Sequence, residues 1–474
     1  MSDLTTFLAN NAPAIQATKA SPRTYQQTSK IKLSEDQELG LEKITAWFKK
    51  KTDPFYVLSG YAGTGKTTLI HFFLREVGRH RVAISAPTHK AVGVLSRVAK
   101  VEGKTLHSLL GLRPGIELEK FDHNNPQFVP KVEPKIRLFR LVIIDESSMI
   151  NSDLFDLIVT QAKANNCLLL FVGDQAQLPP VKEDNSKAFS FENQYTLTKI
   201  VRTGQSNPIR FLRDPLRELA LGNPNHDLPH HTNIVNGEGF RHITDATEFG
   251  ALIKKHFSSD EFKEDVTHAK VLAFTNKRVQ SFNKLVFGML YGQEPEWQVL
   301  PGTVLMSYDS IYLGQEPLLK NSYEYIVEEV GDEDTNDWGI VGRPCKLIDH
   351  DTNAPVWAFI VDSHPDNIQA LTYIAHEKIT IAKSAAGYQR KQAWTDFYQL
   401  KAGNITQVPL TLQGDLIMNK VLDYGYAVTV HKSQGSTFGH VFIDSADIER
   451  SKMQWVLKYV AVTRAQKIAN VFVG

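Results

Sequence analysis

Residues 55–78 read FYVLSGYAGTGKTTLIHFFLREVG, and the fold turns on this stretch. FYVLSG, an apolar run ending in glycine, predicts a buried strand, and TLIHFFLREVG predicts the helix after it. Between them, Gly60-Tyr-Ala-Gly-Thr-Gly65-Lys66-Thr67 matches G-x-x-x-x-G-K-[ST] in the strand–loop–helix context that this pattern needs. Gly60, Gly63 and Gly65 let the backbone wrap a phosphate and turn N–H groups inward, and the helix N-terminus adds positive potential. Lys66 places a charge on terminal phosphates, and the Thr67 hydroxyl can ligate Mg²⁺.

Outward from this stretch, strand and helix patterns alternate. LSEDQELGLEKITAWFKK (33–50) has a cap at Ser34 and apolar residues at helical spacing, Leu39, Ile44 and Phe48. RVAISAPT (81–88), RLVIIDES (140–147) and CLLLFVGD (167–174) are apolar runs without alternation, and HKAVGVLSRVAK (89–100) reads as a helix. Strands of that kind are buried on both faces, which means a parallel sheet covered by helices, a doubly wound α/β core. Asp145-Glu146 closes one such strand. Asp145 can hold Mg²⁺ through water and Glu146 can orient or deprotonate an attacking water; a surface acidic pair after a strand is the plain alternative.

A second α/β block begins near Leu197. It takes in KVLAFTN (270–276), a helix through Leu290, and the C-terminal stretches YAVTVHKSQG, HVFIDS, WVLKYVAVTRA and ANVFVG. Two regions interrupt this plan. Residues 111–134 are rich in polar residues, Pro and Asn and predict an inserted β-hairpin, with arms near IELEKF and QFVPKV. Residues 301–411 carry TVLMSY, YEYIVEEV, IVGRPCKLI and VWAFIV between turns, a spacing that fits a small antiparallel barrel. A helix-like segment, 376–402, follows within that region. It bears Lys378, Lys383, Arg390, Lys391 and Lys401, and Trp394, Phe397 and Tyr398 at spacings of three and four, which read as a packing stripe.

The 474 residues are 42% apolar and 22% charged, which excludes a disordered or fibrous chain and suggests two to four domains. Net charge is +1, so a polyanion partner would depend on local patches. Two cysteines, Cys167 and Cys345, build neither a disulfide framework nor a four-ligand zinc site, and a reduced cytoplasmic compartment follows as the expectation. There is no apolar run of membrane-spanning length, and the first residues do not form a secretory signal. Residues 1–31, poor in large apolar groups, read as a flexible tail.

A strand of nucleic acid needs phosphate contacts and stacking surfaces. APTHKAV (86–92) runs from a strand end into a helix N-terminus, which suits Pro87, Thr88, His89 and Lys90 to backbone phosphates.

Together these residues resemble a known family. The glycine-rich loop, DES at 145–147 and GDQAQLPP at 173–180 are similar to the superfamily 1 helicases. TLHSLLGL (105–112), VHKSQGSTF (430–438) and YVAVTRAQ (459–466) narrow this to the RecD-like branch, superfamily 1B, of the phage Dda-like type. The resemblance covers about residues 33–474, with the motifs in the family's order. It implies an α/β fold of two RecA-like P-loop domains with parallel sheets, one formed by 32–110 plus 135–196 and the other by 197–300 plus 412–474. It also implies a pin hairpin at 111–134 and a small SH3-like β-barrel with a helical extension at 301–411.

The resemblance implies ATP and Mg²⁺ as cofactors and assigns residues to them. Nucleotide contacts fall on Gln37, the adenine reader, on Gly60, Ala62, Gly63, Thr64, Gly65, Lys66, Thr67 and Thr68, and on Gln434, Gly435 and Arg464. Thr67 and Asp145 would hold the metal. Catalysis falls on Lys66, Asp145, Glu146, Gln177, Arg202 and Arg464, with Asp174 in the segment that links the γ-phosphate to the strand. Thr105, His107, Thr429, His431 and Lys432 would join Pro87–Lys90 along the DNA. Phe128 would stack on a base at the junction, or else hold the pin to a neighbour. The implied activity is ATP-dependent 5′→3′ translocation on single-stranded DNA with duplex unwinding, in replication, repair or recombination. A strand translocase that displaces bound proteins and a nucleotide-gated binding switch are the alternatives. Expected partners are single strands, duplex junctions and replication or recombination proteins such as a single-strand-binding protein. No membrane partner is expected, the protein acts as a monomer, and the compartment is the cytoplasm, that of the host if the chain is phage-encoded.

Overall fold

The computed structural model describes residues 32–116, 121–201, 207–292, 297–313 and 316–474. The tail 1–31, Arg202 and residues 117–120 of the predicted first hairpin arm lie outside the described residues. The chain forms two compact units, one of 32–113, 128–290 and 426–474, the other containing 114–127 and 291–425.

The first unit contains two six-stranded sheets. The strands of its first half are β1 (Phe55–Gly60), β2 (Val82–Ala86), β3 (Gly103–Thr105), β4 (Leu112–Pro114), β5 (Phe128–Pro130), β6 (Leu141–Ile144), β7 (Leu168–Gly173) and β8 (Gln194–Leu197). Six of them form one sheet in the order β3-β2-β6-β7-β1-β8, with every ladder parallel. Helices α1 (Glu35–Lys50), α2 (Lys66–Val77), α3 (His89–Ala99) and α4 (Ser152–Ala164) accompany it. The continuous apolar runs are buried on both faces. Leu141, Ile143, Leu168, Leu170 and Val172 join Ile44, Phe73 and Leu95 in one cluster. Val142, Ile144, Leu169 and Phe171 join Phe155 and Ile158 in another. Burying one such side chain stabilises by roughly 1.5–3 kcal/mol, which is why these strands fix the sheet.

The second sheet is built from β9 (Asn233–Val235), β10 (Glu238–Ile243), β11 (Ala269–Ala273), β12 (Ala427–Thr429), β13 (Phe438–Asp444) and β14 (Ala465–Phe472). Their order is β12-β11-β13-β14-β10-β9, parallel except for the β9–β10 hairpin. Helices α5 (Arg210–Ala220), α6 (Ala246–Phe257), α7 (Asn276–Tyr291) and α8 (Gln454–Thr463) belong to this lobe. The chain is therefore α/β with two parallel-sheet lobes, as the sequence predicts.

The second unit holds an antiparallel sheet. Val341–Asp349 pairs with Glu324–Val330, Asp334–Thr335 and Pro355–Val361, and Val304–Ser307 lies between Glu324–Val330 and Leu422–Tyr424. Four of these strands coincide with the predicted stretches; Asp334–Thr335 and Leu422–Tyr424 add to them. The segment 376–402 departs from its reading as one helical stretch: it is shared between two helices, Pro365–Ser384 and Gly387–Gly403. The break falls at Ser-Ala-Ala-Gly, where Ala385 and Ala386 are extended and Gly387 takes φ 53°, a conformation that favours glycine. The hairpin also differs. Its first arm is Leu112–Pro114, ahead of the predicted IELEKF, because Gly111 at φ 69° turns the chain early and its carbonyl accepts from Lys131 and Val132. No helix among the described residues is long and apolar enough to cross a membrane.

Candidate nucleotide site and nucleic-acid path

In the first sheet the carboxyl ends of β1, β7 and β6 lie side by side and carry the glycine-rich loop, Asp174 and Asp145. The loop needs its glycines. Gly63 and Gly65 take φ 83° and 79°, and a Cβ on Gly65 would meet Gln37 Nε2 at 2.4 Å. Lys66 Nζ donates to the carbonyls of Gly60 (2.6 Å) and Tyr61 (3.1 Å), so its ammonium lies over the loop. Thr67 and Thr68 follow in the first turn of α2. Gln37 closes a capping box with Ser34, and its Nε2 donates to Thr64 O at 2.9 Å, which bolts α1 to the loop.

Burial and the adjacent Glu146 push the Asp145 carboxyl up to about 7, against the pull of the Glu146 N–H and of Lys66. Glu146 itself takes φ 50°, a left-handed conformation that costs a non-glycine residue about 1–3 kcal/mol and often marks a functional position. Asp174 is fully buried. Gln177 Oε1 and Gln434 Nε2 are buried without a hydrogen-bond partner among the described residues.

The second lobe reaches this loop. Tyr459, on α8, accepts from Ala62 N–H at 3.3 Å and donates to Asp174 Oδ2 at 2.7 Å. Burial and the Asp174 carboxylate hold the Tyr459 hydroxyl well above the usual tyrosine range, so it stays a donor. Arg464 ends the same helix. Its Nε donates to Val460 O, its Nη1 to Ser436 O and its Nη2 to Thr463 Oγ1. Thr463 and Ala465, on either side of it, line a small cleft with Ala62, Gly63, Ile209, Arg213 and Val462. The Arg217 guanidinium lies 3.5 Å from the Tyr61 ring centroid and 4.0 Å from Asp174. Val201, the neighbour of Arg202, donates its N–H to Gly63 O at 2.9 Å.

The predicted strand contacts sit at the carboxyl ends of β2, β3 and β12. Thr88 caps α3 by accepting from Ala91 N–H, and Pro87, His89 and Lys90 flank it. Ala86 pairs in register with Thr105, which caps the turn after β3 by accepting from Ser108 N–H. In the second sheet Thr429 ends the edge strand β12 and accepts from Lys432 N–H, next to His431. A hydroxyl that accepts one N–H still has its own proton to donate. His107 packs its ring on Phe128, centroids 4.5 Å apart, and burial lowers its pKa. Phe128 remains 44% exposed.

Two family models match the chain: the AAA domain over residues 32–229 and the UvrD-like helicase C-terminal domain over 424–472. The chain is 25% identical to the ATP-dependent DNA helicase dda of Enterobacteria phage T4, over 92% of this chain and 98% of that one. It is 23% identical to the ATP-dependent DNA helicase Pif1 of Campylobacter jejuni, over 90% and 88% of the two chains. The chain belongs to the superfamily 1B, Pif1/RecD-like helicases. Its fold is similar to the crystal structure of the Pif1 helicase from Candida albicans, with a TM-score of 0.51 at 19% identity over 94% of this chain and 95% of that one. A Bacteroides Pif1 crystallised in complex with ADP-AlF3 and ssDNA gives a TM-score of 0.51 at 18% identity, over 94% of both chains.

In this helicase, sequence reasoning did not single out Tyr459, Arg213 or Arg217. The signal for Tyr459 was present in YVAVTRAQ, a phenol five residues ahead of the arginine. The hairpin tip was missed as well. Phe121 meets Trp394 edge-on at 4.8 Å, and His123 packs on Phe397 at 5.0 Å. His123 Nε2 lies 2.5 Å from Ile417 O, and Asn419 N–H donates to Asn124 Oδ1. Trp394 and Phe397 are thus packing residues, as their spacing predicts. Lys401, read among the basic groups of that segment, is buried and paired with Asp309.

Proposed function

We propose that this chain is an ATP-dependent DNA helicase that moves 5′→3′ along a single strand and separates duplex ahead of it. The observation that carries the reading is the Tyr459 joint. One hydroxyl of the second lobe bonds both the Ala62 N–H of the phosphate loop and Asp174, which begins the segment linking nucleotide to strand in this family. A change at the loop is thereby felt in both lobes.

In this reading, residues 60–68 cradle the triphosphate and Lys66 turns from its carbonyls to the phosphate oxygens. Arg464, with Arg202, stabilises the charge of the transferring phosphoryl group, and Glu146 orients or deprotonates the attacking water. Gln177 and Gln434 supply the unpaired buried amides that a phosphate or water would satisfy, and Gly435 follows Gln434. Asp145, at the carboxyl end of β6, and the Thr67 hydroxyl, in the first turn of α2, offer hard oxygen donors of the kind that suits Mg²⁺. When bound, Mg²⁺ neutralises charge on the β- and γ-phosphates. Gln37 keeps its place beside the loop as adenine reader.

Thr88, His89, Lys90, Thr105 and His107 on one lobe and Thr429, His431 and Lys432 on the other grip the strand backbone. The 111–134 hairpin is the pin, the 301–411 insert is the SH3-like barrel with its helices, and 32–110 plus 135–196 and 197–300 plus 412–474 are the two RecA-like domains. The cradle and Arg464 come from one chain, which supports action as a monomer. The test is ATPase and strand displacement on matched 5′-tailed and 3′-tailed duplexes. Unwinding of only the 5′-tailed substrate is expected. ATP turnover and movement without strand displacement would favour the protein-displacing translocase.

A further inference from the structure

We propose that His256, His268 and His440 form a binding site for one divalent transition cation of the zinc class, separate from the nucleotide site. The three residues come from different elements of the second lobe: the end of α6, the loop entering β11, and β13. Each offers a ring nitrogen, and these nitrogens lie within 4.8 Å of one another. His256 Nδ1 and His268 Nε2 are 3.1 Å apart. Ligands about 2.0–2.1 Å from a tetrahedral zinc ion stand about 3.3 Å from each other, so this pair already spans one edge of such a site. The His440 ring lies 4.0 Å from that of His256 and 5.0 Å from that of His268, centroid to centroid.

The plain alternative is a hydrogen bond between His256 and His268. It leaves His440 unexplained. That residue is 8% exposed, and its Nδ1 is buried without a partner among the described residues. A cation satisfies all three imidazoles at once. The frame that holds them is fixed by backbone: His440 N–H donates to His268 O at 2.8 Å, beside the register pair Ala269–His440. Glu261 and Asp265 add negative potential, while Lys255, Arg241 and Lys467 oppose it. Three neutral nitrogens with half-buried His256 and His268 leave the fourth position open to solvent. The cation would clasp α6 to the start of β13, where Phe438 N–H holds the carbonyl of Arg464 at 2.8 Å.

The test uses the untagged full chain, stripped with a chelator and titrated with Co²⁺ in excess Mg²⁺ to fill oxygen-ligand sites. One Co²⁺ per chain is expected, with the intense visible bands of four-coordinate geometry, bleached on adding Zn²⁺. Zn²⁺ should also raise the unfolding temperature. His268→Gln, on a half-buried loop, should weaken Co²⁺ binding at least tenfold in a chain that keeps its circular dichroism and ATP turnover; His440→Asn should do the same if it folds. The paired substitution His230→Ala with His231→Ala should leave binding unchanged. Absence of saturable absorption in the folded wild-type chain, or equal absorption in His268→Gln, would overturn the site.

Discussion

In the two parallel-sheet lobes, buried amide atoms of Gln177 and Gln434 have no protein partner among the described residues, Glu146 holds a left-handed backbone, and the Asp145 carboxyl is driven up to about 7. At the hairpin tip, Phe121 and His123 are pressed on Trp394 and Phe397, and the loop is tied by Asn124 to Asn419. The first region keeps polar groups under tension, each unsatisfied buried group costing about 1–3 kcal/mol. The second is an aromatic joint that gains from burial and edge-on rings, about 0.5–1.5 kcal/mol per pair beyond area. One is shaped for something that arrives and leaves. The other is shaped to stay still.

That contrast can be broken first at Lys66. Lys66→Ala should cut ATP turnover by about 10³–10⁵-fold while strand binding, followed by fluorescence anisotropy, largely persists. Retained turnover would remove the loop from the chemistry. Next, Trp394→Ala should destabilise the second unit by about 3–5 kcal/mol in chemical denaturation, through the cavity left among Phe121, His123 and Phe397. Unwinding should fall with it, and ATPase much less. A loss below about 1 kcal/mol would mean the joint is not tightly packed.

Tyr459→Phe keeps the ring and deletes the hydroxyl that Asp174 and Ala62 share. Urea denaturation should register a loss of about 1–3 kcal/mol. An unchanged midpoint would show that water takes over the bond without cost. The smallest effect is expected at Phe128→Ala. Its exposed ring should contribute under about 0.5 kcal/mol to stability, yet its loss should slow strand displacement several-fold more than ATP hydrolysis. Equal slowing of the two would make the His107–Phe128 contact structural.

The parts of this helicase that were legible in the sequence are those encoded by neighbours along the chain. The loop 60–67, the strand ends at Asp145 and Asp174 and the cap at Ser34 follow from local spacing, and the structure sets them where that spacing implies. Parallel order followed from the uninterrupted runs, since both faces of β6 and β7 are covered. What stayed hidden depends on partners far apart in sequence. Nothing near Tyr61 announces Arg217, and nothing near Phe121 announces Trp394. The aromatic spacing in 394–398 predicted burial without saying against what. The hairpin arm was misplaced because the turn at Gly111 is set by a backbone φ that composition does not reveal. The three histidines span 184 positions, from 256 to 440, and the β11–β13 register brings His268 and His440 together.

The phenol of Tyr459 is a neutral oxygen sitting on an amide that an anionic oxygen would prefer. Its ring therefore works as a built-in gauge. A fluorine placed on it would report, in one resonance, any change at the Ala62 amide or the Asp174 carboxylate.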